Sequence, residues 1–247
     1  MPNDMMSVRR GRQELQAGVE RLEKLWDNMV DKHLNAPPKP RSTAGIAGGV
    51  LTHVAILCFT VLIVWTAQPS SSLFSWHPTL MSIAFVLLMS EAILLFAVWS
   101  SPVHGYSRAS KIQWHWVLQA CSLLCAYTGL AVITANKVQA GKQHYTTWHG
   151  MAGITICGSI SAQAAGGIAI LWPGILPFKV RPVVVKRIHA AFGVANYCGA
   201  LLVLLLGLYS TWFVASAANI VVWNTCAISL LLLALALPIQ VAYNFVK

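Results

Sequence analysis

From residue 45 to its end the chain carries one carboxylate, Glu91; the other six of its seven acids, Asp4, Glu14, Glu20, Glu23, Asp27 and Asp31, all come earlier. A stretch that long cannot solvate an ordinary globular surface with so little charge, and its 57% hydrophobic residues point the same way. A helix that crosses a bilayer needs about 20 mostly apolar residues. Six runs meet that length, at roughly 45–67, 79–99, 113–135, 148–172, 189–213 and 220–245. The connections between them are too short for a separate soluble domain. The expected fold is all-α: a polar tail over residues 1–42, then one six-helix membrane bundle over residues 43–247.

Lys and Arg give the expected orientation. Eight lie in the tail, two in the second loop (Arg108, Lys111), four in the fourth (Lys179, Arg181, Lys186, Arg187) and one at the C-terminus (Lys247), all on one side of a six-span topology. Only Lys137 and Lys142 fall on the other side. The positive-inside rule then puts both termini in the cytosol. The same distribution accounts for the net charge of +10 without nucleic acid, because the basic residues flank spans rather than interleave with aromatics on a soluble face.

The tail from Gln13 to Leu34 places Leu15, Val19, Leu22, Trp26, Met29 and His33 at helical spacing opposite a charged face. That pattern reads either as an amphipathic helix on the cytosolic surface or against a partner, or as a loosely ordered tail. Pro37-Pro38-Lys39-Pro40 separates it from the spans. The first apolar run comes too late and is too long for a secretory signal. All six cysteines sit inside apolar runs, so no structural disulfide is expected, and the absence of CxxCH excludes the usual covalent haem attachment.

Four histidines, His77, His115, His149 and His189, stand near the starts of four successive spans, the second to the fifth. Consecutive spans run in opposite directions, so His77 and His149 share the non-cytosolic end while His115 and His189 share the cytosolic end. A haem b iron takes two axial imidazoles from facing helices, each with its other ring nitrogen held by an acceptor. One histidine per helix, paired at each end, satisfies that need twice. With each pair about one turn inside a hydrocarbon core about 30 Å thick, the two irons would lie roughly 20 Å apart, a relay between the two aqueous phases. A single histidine near a helix end is otherwise an interfacial, hydrated residue. Four in consecutive spans, none of them mid-span, favour ligation. Gly153 and Gly193, four residues after His149 and His189, would leave room for a porphyrin edge. Trp76, Trp114, Trp116 and Trp148 read as interfacial aromatics.

Six spans, the histidine spacings of 38, 34 and 40 residues, and the segments Ser75-Trp76-His77-Pro78-Thr79-Leu80-Met81, His115-Trp116, His149-Gly150 and His189 resemble the cytochrome b561 family, closest to its short, stand-alone branch. The likeness covers about residues 43–247. It implies two non-covalent haems b with His77, His115, His149 and His189 as axial ligands, and cytosolic ascorbate as electron donor. It further implies monodehydroascorbate or a ferric chelate as acceptor across the membrane, often a homodimer, and an endomembrane location. Two places depart from the family pattern. Phe96 and Ala97 stand where better-known members have Tyr and Arg after the acidic residue of span two. Thr147-Trp148-His149-Gly150-Met151 replaces a Ser-Leu-His-Ser-Trp run. Both bear on ascorbate recognition more than on haem.

Glu91 follows His77 by fourteen residues, which on a regular helix returns nearly to the same face. It should therefore point into the bundle near the cytosolic haem, where it either manages the proton accompanying electron uptake or bonds two helices together. Arg108, Lys111, Lys186 and Arg187 are candidates for steering an ascorbate anion on the cytosolic side, although topology alone would also place them there. Lys142 and His144 are the candidates for contacting the acceptor on the other side. His33, His53 and His104 read as structural or solvated.

Three functions fit: an ascorbate-driven transmembrane reductase, a haem-bearing subunit passing electrons to a protein partner, and a transporter or membrane scaffold without haem. The near absence of buried charge beyond Glu91 weighs against an ion-coupled carrier.

Overall fold

The computed structural model describes residues 13–22, 24–25, 42–172, 174, 182–217 and 219–246, and every regular element among them is helical. The membrane part consists of α1 (Thr43–Ala67), α2 (Trp76–Leu94), α3 (Arg108–Gln139), α4 (Trp148–Leu171), α5 (Pro182–Leu208), the short α6 (Thr211–Ser216) and α7 (Ile220–Val246). All but α6 are long and apolar enough to cross a membrane. This is the expected multi-pass architecture.

Local chemistry sets the helix starts. Ser42, Ser107, Thr147 and Ser210 each accept a main-chain N–H from three residues downstream, satisfying a donor that the first turn leaves unpaired. Ser107 therefore extends α3 well before its apolar stretch. The break between α5 and α6 falls at the Ser210 cap, so the fifth span ends at Leu208 rather than 213. The second span stops at Leu94 instead of 99, because the chain then turns back: Phe96 and Ala97 N–H groups bond to Ile93 and Leu94 carbonyls, and Ser101 Oγ donates to Leu95 O at 2.8 Å.

Within α2, residues Ile83–Leu88 form a π-helical turn, where Met89 N–H reaches back five residues to Ala84 O. Ser122 Oγ of α3 donates to that same carbonyl at 2.8 Å. A side chain inserted into the main-chain ladder is a known cause of such widening.

Sequence neighbours pack as antiparallel pairs, α2 with α3 and α4 with α5, while α1 and α7 flank them together. The tightest packing joins Ile56 and Phe59 of α1, Ala84 and Val86 of α2, Tyr197 and Leu201 of α5, and Leu230, Leu233 and Leu237 of α7. Leu51, Leu57, Val61, Leu202, Leu231 and Leu235 are exposed, as a bilayer-facing surface requires. Trp76, Trp114, Trp116 and Trp148 are exposed too, in keeping with an interfacial role. In the tail, residues 13–22 are helical and Leu15, Val19 and Leu22 are exposed. Trp26, Met29 and His33 lie outside the described residues, as do Lys179 and Arg181.

Gly45 and Gly49 let the turn after α2 lie directly on α1. A Cβ at Gly49 would stand 2.9 Å from Ser100 Cα, whereas one at Gly48 would meet nothing within 4 Å. Gly49→Ala should therefore destabilise the protein by about 1–3 kcal/mol through overpacking against main chain. Gly48→Ala should leave stability unchanged or slightly raised. Thermal melting of both variants in detergent, followed by helical circular dichroism, measures the contrast.

Candidate functional site

Three of the four histidines are held in the same way. His77 Nδ1 donates to Gly129 O at 3.0 Å, His115 Nδ1 to Ala92 O at 2.9 Å, and His149 Nδ1 to Val203 O at 2.9 Å. In each case the carbonyl belongs to the helix that pairs with the histidine's own: α3 for α2, α2 for α3, α5 for α4. A carbonyl only accepts, so Nδ1 carries the hydrogen and the lone pair stays on Nε2. No described residue takes that Nε2 in any of the three. An imidazole with Nδ1–H on a carbonyl and a bare Nε2 is the arrangement that metal-ligating histidines adopt.

His189 is held differently. Gln163 of α4 donates its amide to the His189 main-chain carbonyl at 2.8 Å and lies 3.2 and 3.3 Å from the two ring nitrogens.

Glycines on the neighbouring helices seat two of the rings. A Cβ at Gly207 of α5 would stand 3.3 Å from His149 Cε1, and one at Gly167 of α4 would stand 3.2 Å from His189 Cε1. Gly153 and Gly193, expected to give room on the ligands' own helices, have other neighbours: Val203 approaches the first and the Gln163 amide the second. These two rings thus rest on glycines of the facing helix within the α4–α5 pair.

At one end of the bundle the His77 and His149 ring centroids are 6.2 Å apart, with the planes at 83°. That is too far for a direct hydrogen bond. It matches two metal–imidazole bonds of about 2 Å each plus a ring radius of about 1 Å on either side. At the other end His115 and His189 stand in the opening turns of α3 and α5. Phe96 packs edge-on against His115 at 5.3 Å, so its phenyl serves as a wall to that imidazole.

Two further features suit a large flat cofactor. Asn196 Nδ2 is buried with no partner among the described residues, and Asn196 follows His189 by seven residues, two turns along the same face. The helices bearing His115 and His149 are the least packed, α3 burying only Ser122, Ala126 and Gly129 and α4 only Cys157 and Ile160 among their described residues. The residues present therefore fit haem.

The substrate candidates separate by end. Arg108 and Lys111 open α3, and Lys186 and Arg187 stand early in α5, at the His115/His189 end. Arg108, Lys186 and Arg187 are exposed, while Lys111 is half-buried with its ammonium donating to His104 O at 3.2 Å. At the opposite end Lys142 is exposed on the α3–α4 turn and His144 is half-buried beside Tyr145. Lys137 Nζ braces that turn by donating to Gln143 O at 3.1 Å.

Glu91 does not share the face of His77. The π-helical turn between them adds a residue to the ladder, and one residue rotates a helix by about 100°. Glu91 therefore meets α1, where its Oε1 lies 2.7 Å from His53 Nδ1. His53, expected to be structural or solvated, is bonded through both ring nitrogens, and its carboxylate partner was not foreseen. The usable signal was general: an isolated intramembrane carboxylate needs a polar partner, and His53 is the one basic side chain in span one. Gln163 and Asn196 carried no such signal, because neutral amides in spans are common helix-to-helix contacts.

The profile of eukaryotic cytochrome b561 matches residues 76–214, which contain all four histidines. The chain is 40% identical over 196 residues to the Homo sapiens protein named transmembrane reductase CYB561D2, covering 79% of this chain and 87% of that one. It is 34% identical over 190 residues to the Mus musculus probable transmembrane reductase CYB561D1, covering 76% and 82%. A probable ascorbate-specific transmembrane electron transporter 2 from Oryza sativa subsp. japonica is 25% identical over 167 residues, covering 66% and 67%. With the histidine arrangement and the six spans, these likenesses identify the chain as a member of the cytochrome b561 family.

Proposed function

We propose that the protein passes single electrons across a membrane through two b-type haems, from cytosolic ascorbate to monodehydroascorbate or a ferric chelate on the other side, as a transmembrane ascorbate-dependent reductase. The observation that carries this reading is the 6.2 Å separation of His77 and His149, each with Nδ1 on a main-chain carbonyl, repeated in kind by His115 at the opposite end. A b-type haem, which this family binds, would supply one-electron chemistry at its iron. His77 and His149 would hold the non-cytosolic group, and His115 and His189 the cytosolic one. The carbonyl bonds of His77, His115 and His149 fix each ring's tautomer with Nε2 unprotonated, and they raise its basicity as a ligand. Lys111 and Lys186, nearest the cytosolic ligands, would draw an ascorbate anion to that end, while Lys142 and His144 would meet the acceptor.

The orientation rests on the Lys and Arg asymmetry, which puts both termini in the cytosol. Residues 43–247 form the membrane domain in this reading and residues 1–42 a cytosolic tail. A homodimer in an endomembrane completes it.

A second reading is favoured by Phe96. It walls His115 where a hydroxyl-bearing ring would stand, and the exposed Leu15, Val19 and Leu22 of the tail offer an apolar face. On that reading the protein is a haem-bearing subunit whose electrons go to a protein partner.

Purification in detergent, pyridine haemochrome quantitation and visible spectra before and after ascorbate separate these readings. Two low-spin haems per chain reduced promptly by ascorbate support the first, reduction only by dithionite supports the second, and absence of haem refutes both. His77→Ala and His115→Ala should each remove one haem and abolish transmembrane transfer. Gly167→Leu, which fills the seat of His189, should lower haem content by about half, while Gly158→Leu, with nothing within 4 Å of its Cβ, should leave it unchanged. Lys186→Ala should raise the KM for ascorbate several-fold and weaken its salt dependence, with haem content intact; steady-state kinetics at two ionic strengths read this out.

A further inference from the structure

His53 and Glu91 form a polar pair where α1 meets the last turn of α2, inside the membrane-spanning region. The imidazole is fixed on both sides. Its Nδ1 lies 2.7 Å from Glu91 Oε1 and its Nε2 lies 2.8 Å from Ser100 O. The Ser100 carbonyl can only accept, so Nε2 carries a hydrogen. The Nδ1–Oε1 contact then requires one more proton, either on Nδ1 facing a carboxylate or on Glu91 facing a neutral ring. Both forms are net neutral. Loss of that proton would set a lone pair against a carboxylate and leave a net charge of −1 in apolar surroundings, a cost that a nearby positive charge offsets.

The anchor is built to stay in place. Gly49 brings the Ser100 main chain onto α1, and Ser100 Oγ is bonded to Gln240 of α7, so the carbonyl cannot swing away from His53. The pair also adjoins the His115 site through one peptide unit, because Glu91 precedes Ala92, whose carbonyl holds His115 Nδ1. The other titratable groups brought near by packed elements are Tyr197 of α5, whose hydroxyl is 2.7 Å from Ser90 Oγ, His115 and Lys111 of α3, and Tyr243 of α7, whose ring lies against Trp99. Among these described residues Glu91 is the only carboxylate.

We propose that the His53–Glu91 pair is a one-proton site coupled to the electron load of the His115/His189 end. The inference rests on the reading of those two histidines as haem ligands. When an electron arrives there, the pair takes one proton from the adjacent aqueous phase, and when the electron leaves, the pair returns it. One negative charge is thus matched by one positive charge, and the hydrogen-bonded geometry is that of the loaded pair. With ascorbate as donor the balance closes: its monoanion loses one electron and one proton and becomes the monodehydroascorbate radical anion.

The test uses the full-length haem-loaded protein in nanodiscs, poised electrochemically between oxidised and reduced states. Infrared difference spectra and the pH dependence of each haem's reduction equilibrium are the readouts. The expected result is a carboxylic-acid carbonyl or imidazole band that changes with reduction, and a tenfold shift in the reduction equilibrium of one haem per pH unit. Glu91→Gln, which can still hydrogen-bond His53, should remove both signals while both haems remain, and Glu91→Asp should restore them. A merely structural pair would give neither signal in the unsubstituted protein, and that outcome overturns the proposal. So does a protein with two haems whose pH dependence is the same in Glu91→Gln. A protein that binds no haem refutes the ligand reading itself, and this inference falls with it.

Discussion

A hydrogen bond from imidazole Nδ1 to a carbonyl of the adjoining helix is the interaction on which the rest of the site depends. A helix carbonyl has a second lone pair, and in lipid that lone pair has no water to satisfy it. His77, His115 and His149 each take one. In doing so they tie each antiparallel pair together and fix their own tautomers. They also leave Nε2 without a partner among the described residues. The 6.2 Å approach of His77 and His149 is then a meeting between hairpins, with each ring's tautomer set within its own hairpin. Gly167 and Gly207 leave space for the His189 and His149 rings, which a Cβ there would approach to 3.2 and 3.3 Å.

The flanking helices have a different task. α1 and α7 carry much of the buried apolar core, and they also finish the polar accounting around the end of α2. Gly45 and Gly49 admit Trp99 and Ser100 onto α1, eight and four residues ahead of His53. Gln240 of α7 takes the Ser100 hydroxyl, and Trp99 stacks with Tyr243. The turn is thereby held by side chains from two spans, His53 of α1 on the Ser100 carbonyl and Gln240 of α7 on the Ser100 hydroxyl.

Much of this was legible in the residues alone. Span number followed from apolar length, and the grouping of the histidines by end followed from the alternation of spans, because both depend only on direction along the chain. What failed to transfer was rotation about the helix axis. The fourteen-residue spacing from His77 to Glu91 assumes a uniform turn, and nothing in Ile83–Leu88 announces a widened one; Ser122, which inserts there, comes from another helix. The porphyrin-edge glycines were sought on the ligands' own helices, whereas the glycines beneath the rings sit on the partners, a pairing that only packing reveals. Helix ends were blurred for a related reason: hydroxyl caps such as Ser107 and Ser210 extend or break a helix regardless of hydropathy.

The widened turn in α2 has a mechanical meaning. A uniform helix is a rod on which every polar group is locked into one angular register, so a residue suited to one neighbour constrains what the next can meet. By inserting a phase slip midway, α2 keeps α3 as its neighbour along both halves, through His77 and the Ala92 carbonyl, yet turns Glu91 toward His53 of α1. One span thus meets two neighbours at angular settings that a uniform turn would not combine.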